Sequence, residues 1–156
     1  MVRRALLVDP NANRLDLFRR QIPDGVDVTA CTHFRAAREC LLSISPQYLI
    51  SNLRLGMYNG LHLAHLAAHA RLATTCLLYD ERLDLHLAFE AQLIGAFYET
   101  TSRMPFALPA FMQAPLPERD RRDWQRVDRR GLFRGGRRST DLTFEQLRGL
   151  TSGLLH

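Results

Sequence analysis

The stretch PQYLISNLRLGMYNGLHL, residues 46–63, decides the fold. Pro46 breaks whatever precedes it, and Tyr48-Leu-Ile-Ser-Asn52 follows as a short apolar run that ends on a polar amide. A run of this length bounded by turn residues reads as a buried strand. Gly60 then opens a helix that continues to about Ala70. A strand followed closely by a helix is half of a strand-helix-strand unit, and the same pattern recurs on either side.

Upstream, Arg4 to Asp9 predicts a first buried strand ending at a Pro-Asn turn. Asn11 to Gln21 predicts a helix with Leu15, Leu17, Phe18 and Ile22 as its apolar residues, stopped by Pro23 and Gly25. Val26 to Ala30 alternates as a second strand. Thr32 is in place to cap a helix carrying Phe34, Ala37, Cys40, Leu41 and Ile44. Downstream, Thr74 to Tyr79 predicts a fourth strand. Asp80 is in place to cap a fourth helix through Leu83, Leu87, Phe89 and Leu93, and Ala96 to Thr101 predicts a weaker fifth strand. Strands alternating with helices imply a doubly wound α/β fold, a parallel five-stranded sheet with helices on both faces. In such sheets functional groups gather at the carboxyl ends of the strands, which are marked here by Asp9, Asn52 and Tyr79.

Composition narrows the class. At 156 residues the chain is about one domain. No apolar run approaches the roughly 18–20 residues that span a bilayer. Arg3 and Arg4 precede only Ala5 to Val8 before Asp9-Pro10, too short a stretch for a signal peptide. The expectation is a cytoplasmic protein without membrane association. Cys31, Cys40 and Cys76 form no CxxC pair and are odd in number, which suits a reducing compartment better than a disulfide scaffold, and they read as buried free thiols.

After about Ser102 the composition shifts. Pro105, Pro109, Pro115 and Pro117 leave room for at most a short helix near Phe106 to Met112, so an α/β domain over 1–102 and a Pro/Arg-rich extension over 103–156 are expected. Between Glu118 and Thr140 there are nine arginines against four acids, a net of +5 that equals the formal charge of the whole chain. Thr140 or Asp141 is in place to cap a last short helix bearing Phe144, Leu147, Leu150 and Leu154. All 21 basic residues are arginine; the chain has no lysine.

The ordered set of Leu6-Leu-Val-Asp9, the strand ending at Asn52, Gly60 eight residues later and the Gly95-Ala96 pair resembles the receiver domain of two-component response regulators over roughly residues 2–102. The resemblance implies a flavodoxin-like receiver fold and a role in phosphorelay signal transduction. In that family an acidic pair after the first strand helps hold magnesium and an aspartate ends the third strand as phosphoacceptor. A Ser or Thr ends the fourth strand, and a Lys the fifth. Here Pro10 follows Asp9, the acceptor position is Asn52, and the switch positions are Tyr79 and a site near Ser102 or Arg103.

Each departure has a chemical consequence. The neutral amide of Asn52 is too weak a nucleophile to form an acyl phosphate. Magnesium wants hard oxygen ligands, and Asp9 beside an amide is a poor set. Without lysine, the point charge on the phosphoryl group is missing as well. The resemblance is therefore to a degenerate pseudo-receiver that has no catalytic residue, metal or cofactor and is not an enzyme. Asp9 has two readings, a cap on the first turn before the helix or a residual cation ligand. Asn52 reads as a residue that hydrogen-bonds loop backbone, and Tyr79 as a ring packed at the strand end.

Other constellations carry less. His62, His65 and His69 share one helix face, with no Cys or carboxylate at ligand spacing, and read as a solvated or partner-contacting face. In the tail, Trp124, Arg129, Arg130, Phe133, Arg137 and Arg138 suit either nucleic-acid phosphates with stacked bases or carboxylates on a protein partner. The favoured expectation is a module that acts by protein–protein interaction, self-association included. The alternative is a nucleic-acid-binding regulator acting through residues 118–140. By the resemblance, Leu83, Leu87, Phe97 and Tyr98 belong to the contact face, with the fifth helix replaced or eroded.

Overall fold

The computed structural model describes residues 1–116. The expected tail contacts Trp124, Arg129, Arg130, Phe133, Arg137 and Arg138, and the last short helix, lie outside the described residues. In chain order the elements are β1 (Arg3–Val8), α1 (Ala12–Arg19), β2 (Val26–Cys31), α2 (Phe34–Ile44), β3 (Tyr48–Asn52), β4 (Arg54–Leu55), β5 (Tyr58–Asn59), α3 (Gly60–His69), β6 (Thr75–Asp80), α4 (Leu85–Leu93), β7 (Phe97–Thr100) and α5 (Met104–Gln113), with a 3-10 turn over Thr101–Arg103.

Five strands form one parallel sheet in the order β2-β1-β3-β6-β7. Every residue of β3 and of β6 is buried, as expected for central parallel strands covered on both faces. Neighbouring residues along a strand point to opposite faces, so Leu6, Leu49 and Leu78 join one core with α2, α3 and α4, whereas Leu7, Ile50 and Leu77 join another with α1 and α5. The strand order reverses between β1 and β3, which opens a switch point at their carboxyl ends. The register sets Val8 beside Ser51 and Asn52 beside Tyr79, so the three marked positions converge there.

Several expectations are corrected. The helix caps are not Thr32 and Asp80 but His33, which accepts from the Ala36 N–H, and Asp84, which accepts from His86 and Leu87. Asp80 is still in the strand ladder opposite Thr100, so the chain cannot turn into a helix there. A break at 102 does not hold either. It falls inside the 3-10 turn, and the α/β unit continues through α5, whose Met104, Leu108 and Phe111 are buried against the sheet.

The fifth helix is therefore present, neither replaced nor eroded. Pro105 sits in its first turn, where no N–H is required, and Pro109 forgoes one bond to the first turn in exchange for the packing of Phe111 on Tyr48 and Phe97. Phe97 and Tyr98 consequently leave the expected contact face and are buried. Tyr98 accepts from the Asp84 N–H and donates to the Arg82 carbonyl, pinning the loop before α4. Leu83 remains exposed, and Phe106 on α5 joins it as a large exposed apolar side chain.

The small β4–β5 hairpin, turning at Gly56 with φ of +71°, was not expected. It brings Tyr58 onto Phe34 as a stacked pair 4.4 Å apart.

Candidate functional site

Asp9 follows directly on β1 and is almost completely buried, at 1% exposure. Its carboxylate is surrounded by donors. Oδ1 accepts from the Asn11 N–H at 2.8 Å. Oδ2 accepts from Tyr79 Oη at 2.6 Å, Asn52 Nδ2 at 3.2 Å and an Arg14 guanidinium nitrogen at 3.3 Å. The amide of Asn52 is occupied at both ends, because its Oδ1 accepts from the Arg54 N–H at 2.8 Å. A buried carboxylate is tolerated only when paired and hydrogen-bonded, and here one cation and three neutral donors meet that condition.

Tyr79 is locked in two ways. Its ring packs edge-on against Phe18 at 5.3 Å, and its hydroxyl donates to Asp9. Burial pushes its pKa far above the usual phenol value, and the negative Asp9 beside it pushes the same way, so the phenol keeps its proton. Asp9 is thus a structural hub. It caps the turn before α1, accepting from the Asn11 N–H, and Asn11 in turn caps α1 itself, accepting from the Asn13 and Arg14 N–H groups.

Two arginines complete the arrangement. Arg14 spans Asp9 and Glu81, at 3.3 and 3.5 Å. Arg54 grips Asp80 through Nε at 3.1 Å and a terminal nitrogen at 2.9 Å, while the other oxygen of Asp80 accepts from the Glu81 N–H. Both carboxylates at the strand ends therefore have donors on each oxygen. The donor set does not fit magnesium, which would have to displace a guanidinium and a phenol from Asp9 and would gain only an amide in return. Among the described residues no group of three or more His, Cys, Asp and Glu is placed to hold a metal ion. His62, His65 and His69 are all exposed, and His62 accepts from the Asn59 N–H in a capping box.

The structure brings together Asp9, Asn52 and Tyr79. It does not add Ser102, which is exposed in the 3-10 turn with its hydroxyl 3.3 Å from that of Thr100. Sequence reasoning missed Arg14, Arg54 and Asp80. A signal for Arg14 existed: it stands three residues after the cap Asn11, in the helix turn nearest the end of β1.

Solved structures share this architecture. The chemotaxis response regulator CheY4 of Vibrio cholerae superposes with a TM-score of 0.63 at 16% identity, over 72% of this chain and 98% of that one. A CheY-like response regulator receiver domain protein from Methanospirillum hungatei JF-1 gives 0.66 at 16%, over 72% and 92%. A two-component response regulator of the LuxR family from Aurantimonas sp. SI85-9A1 gives 0.60 at 23%, over 75% and 91%. The chain has the receiver-domain fold. Comparison with protein-family models and with curated proteins found no match. Within this fold, Asp9, Asn52 and Tyr79 stand together at the carboxyl ends of β1, β3 and β6.

Proposed function

We propose that this chain is a phosphorylation-independent pseudo-receiver of signal transduction, a cytoplasmic module that acts by binding a protein partner or a second copy of itself and catalyses no reaction. The observation that carries this reading is the closed hydrogen-bond network at Asp9. The carboxylate that would serve a cation is occupied by Arg14, Tyr79 and Asn52. The residue at the acceptor position is an amide that donates to that carboxylate, so it offers no nucleophile. With the phosphorylation chemistry absent, what remains is the surface of the domain. Exposed Leu83 and Phe106 supply apolar contact area on it.

Acetyl phosphate with magnesium tests the reading. Intact mass should show no acid-labile phosphate on the wild type. Asn52→Asp alone should also label poorly, because Arg14 and Tyr79 still occupy Asp9. Stoichiometric labelling of the wild type would sink the proposal. Efficient labelling of the single variant would show that the closed network does not block the site.

The alternative, nucleic-acid binding through residues 118–140, is favoured by the concentration of charge there, nine arginines against four acids. Four interspersed acids oppose a duplex, so a gel shift at about 150 mM salt should show marginal affinity, screening acting within about 8 Å. Submicromolar binding that depends on Arg129, Arg130, Arg137 and Arg138, with a steep salt slope, would reverse the ranking.

A further inference from the structure

Two of the three thiols come together where the edge of the sheet meets its covering helix. Cys31 is the last residue of β2 and is buried; Cys40 lies on α2, three residues beyond buried Ala37, and is partly open to solvent. The Cys31 thiol donates to Cys40 Sγ across 3.7 Å. Cys76 is elsewhere, buried in β6 with its thiol 3.9 Å from the Thr74 carbonyl. All three thiols are free, as expected, but Cys40 is only partly buried and lies against Cys31.

We propose that Cys31 and Cys40 form an oxidisable dithiol site whose substrate class is the low-molecular-weight disulfide. Cys40, the less buried of the two, is the entry point. Cys40 as thiolate attacks one sulfur of the incoming disulfide; its S–S bond breaks, and the first small thiol departs with the Cys40 proton. Cys31 then attacks Cys40 Sγ, and the second small thiol leaves with the Cys31 proton. Two protein thiols become one protein disulfide, and one small disulfide becomes two small thiols.

The sulfurs must close from 3.7 Å to a bonded separation of about 2.05 Å, so α2 has to shift over the edge strand as the bond forms. Burial holds the Cys31 thiol at about 12, so the second step is the slow one. The product ties α2 to the end of β2, whose last carbonyl accepts from the Asp9 N–H at 3.1 Å, so the staple adjoins the Asp9 network.

The test uses the full chain with glutathione disulfide as the probe, followed by acid quench, denaturation and alkylation. The reduced protein should take up three alkyl groups and the oxidised protein one, at Cys76, with a peptide map showing a Cys31–Cys40 link. The melting temperature should rise by about 5–10 °C and return on reduction. Cys31→Ser should stop at a glutathione adduct on Cys40. Cys40→Ser should form neither adduct nor link, with its fold checked by circular dichroism, and Cys76→Ser should still form the link. The proposal is overturned if the wild type keeps three free thiols, halts at the mixed adduct, or links through Cys76 or between chains.

Discussion

Gly60→Ala should destabilise the α/β unit by about 2–4 kcal/mol, although alanine is the better helix former. A Cβ built at Gly60 would lie 2.4 Å from the Asn52 carbonyl oxygen, 3.2 Å from its carbonyl carbon and 3.0 Å from Ser51 Oγ. The obstructing oxygen belongs to the backbone of a fully buried central strand, so it cannot swing aside as the end of a side chain would. The start of α3 must retreat instead, loosening the Gly60 N–H bond to the Leu53 carbonyl. Propensity returns at most about 1 kcal/mol.

Gly56→Ala is the internal comparison. It faces no atom within 4 Å but has φ of +71°, so its penalty is backbone strain alone, about 1–2 kcal/mol. Urea denaturation with unchanged slope measures both. If Gly60→Ala cost no more than Gly56→Ala, the close approach of α3 to β3 would be wrong.

That contact explains what was legible in the sequence. Gly60 was readable as the start of a helix, because punctuation by glycine and the apolar periods on either side are local signals. The strand segments were readable for the same reason: buried parallel strands are nearly continuous apolar runs, and YLISN is one. Convergence of Asp9, Asn52 and Tyr79 followed from topology, since a doubly wound sheet delivers its strand ends to one place.

Pairings set by distance in space were not legible. Arg54 and Asp80 are 26 residues apart and meet only because β3 and β6 are neighbours. Cys31 and Cys40 meet because α2 crosses the edge of the sheet above β2. The helix near Phe106 to Met112 was legible in spite of the prolines at 105 and 109, but its place in the α/β unit was not, because the burial of Met104, Leu108 and Phe111 against the sheet is a contact in space.

Asp9→Ala should be the most damaging substitution at the site, costing about 3–5 kcal/mol, because it leaves buried donors without their acceptor and Arg14 without its buried counter-charge. Tyr79→Phe should cost less, about 1.5–3 kcal/mol, the range for a hydrogen bond to a charged group. The two should not add, since the Tyr79 hydroxyl has no Asp9 to bond once the carboxylate is gone; the double variant should be close to Asp9→Ala alone.

Tyr79 also gives the network a pH dependence of known sign. Its folded pKa is raised above the unfolded value of about 10, so the folded state keeps a proton that the unfolded state loses. The stability it contributes is fully present below about pH 10 and falls above it by about 1.4 kcal/mol per pH unit. Subtracting Tyr79→Phe from the wild type isolates this from Cys31 and Tyr98, whose pKa values burial also raises. The gap between the two proteins should therefore be constant through neutral pH and narrow from about pH 10 upward. A gap that stayed constant to pH 11 would mean that the phenol is not held protonated against Asp9, and additive losses in the double variant would mean that the two residues do not share one bond.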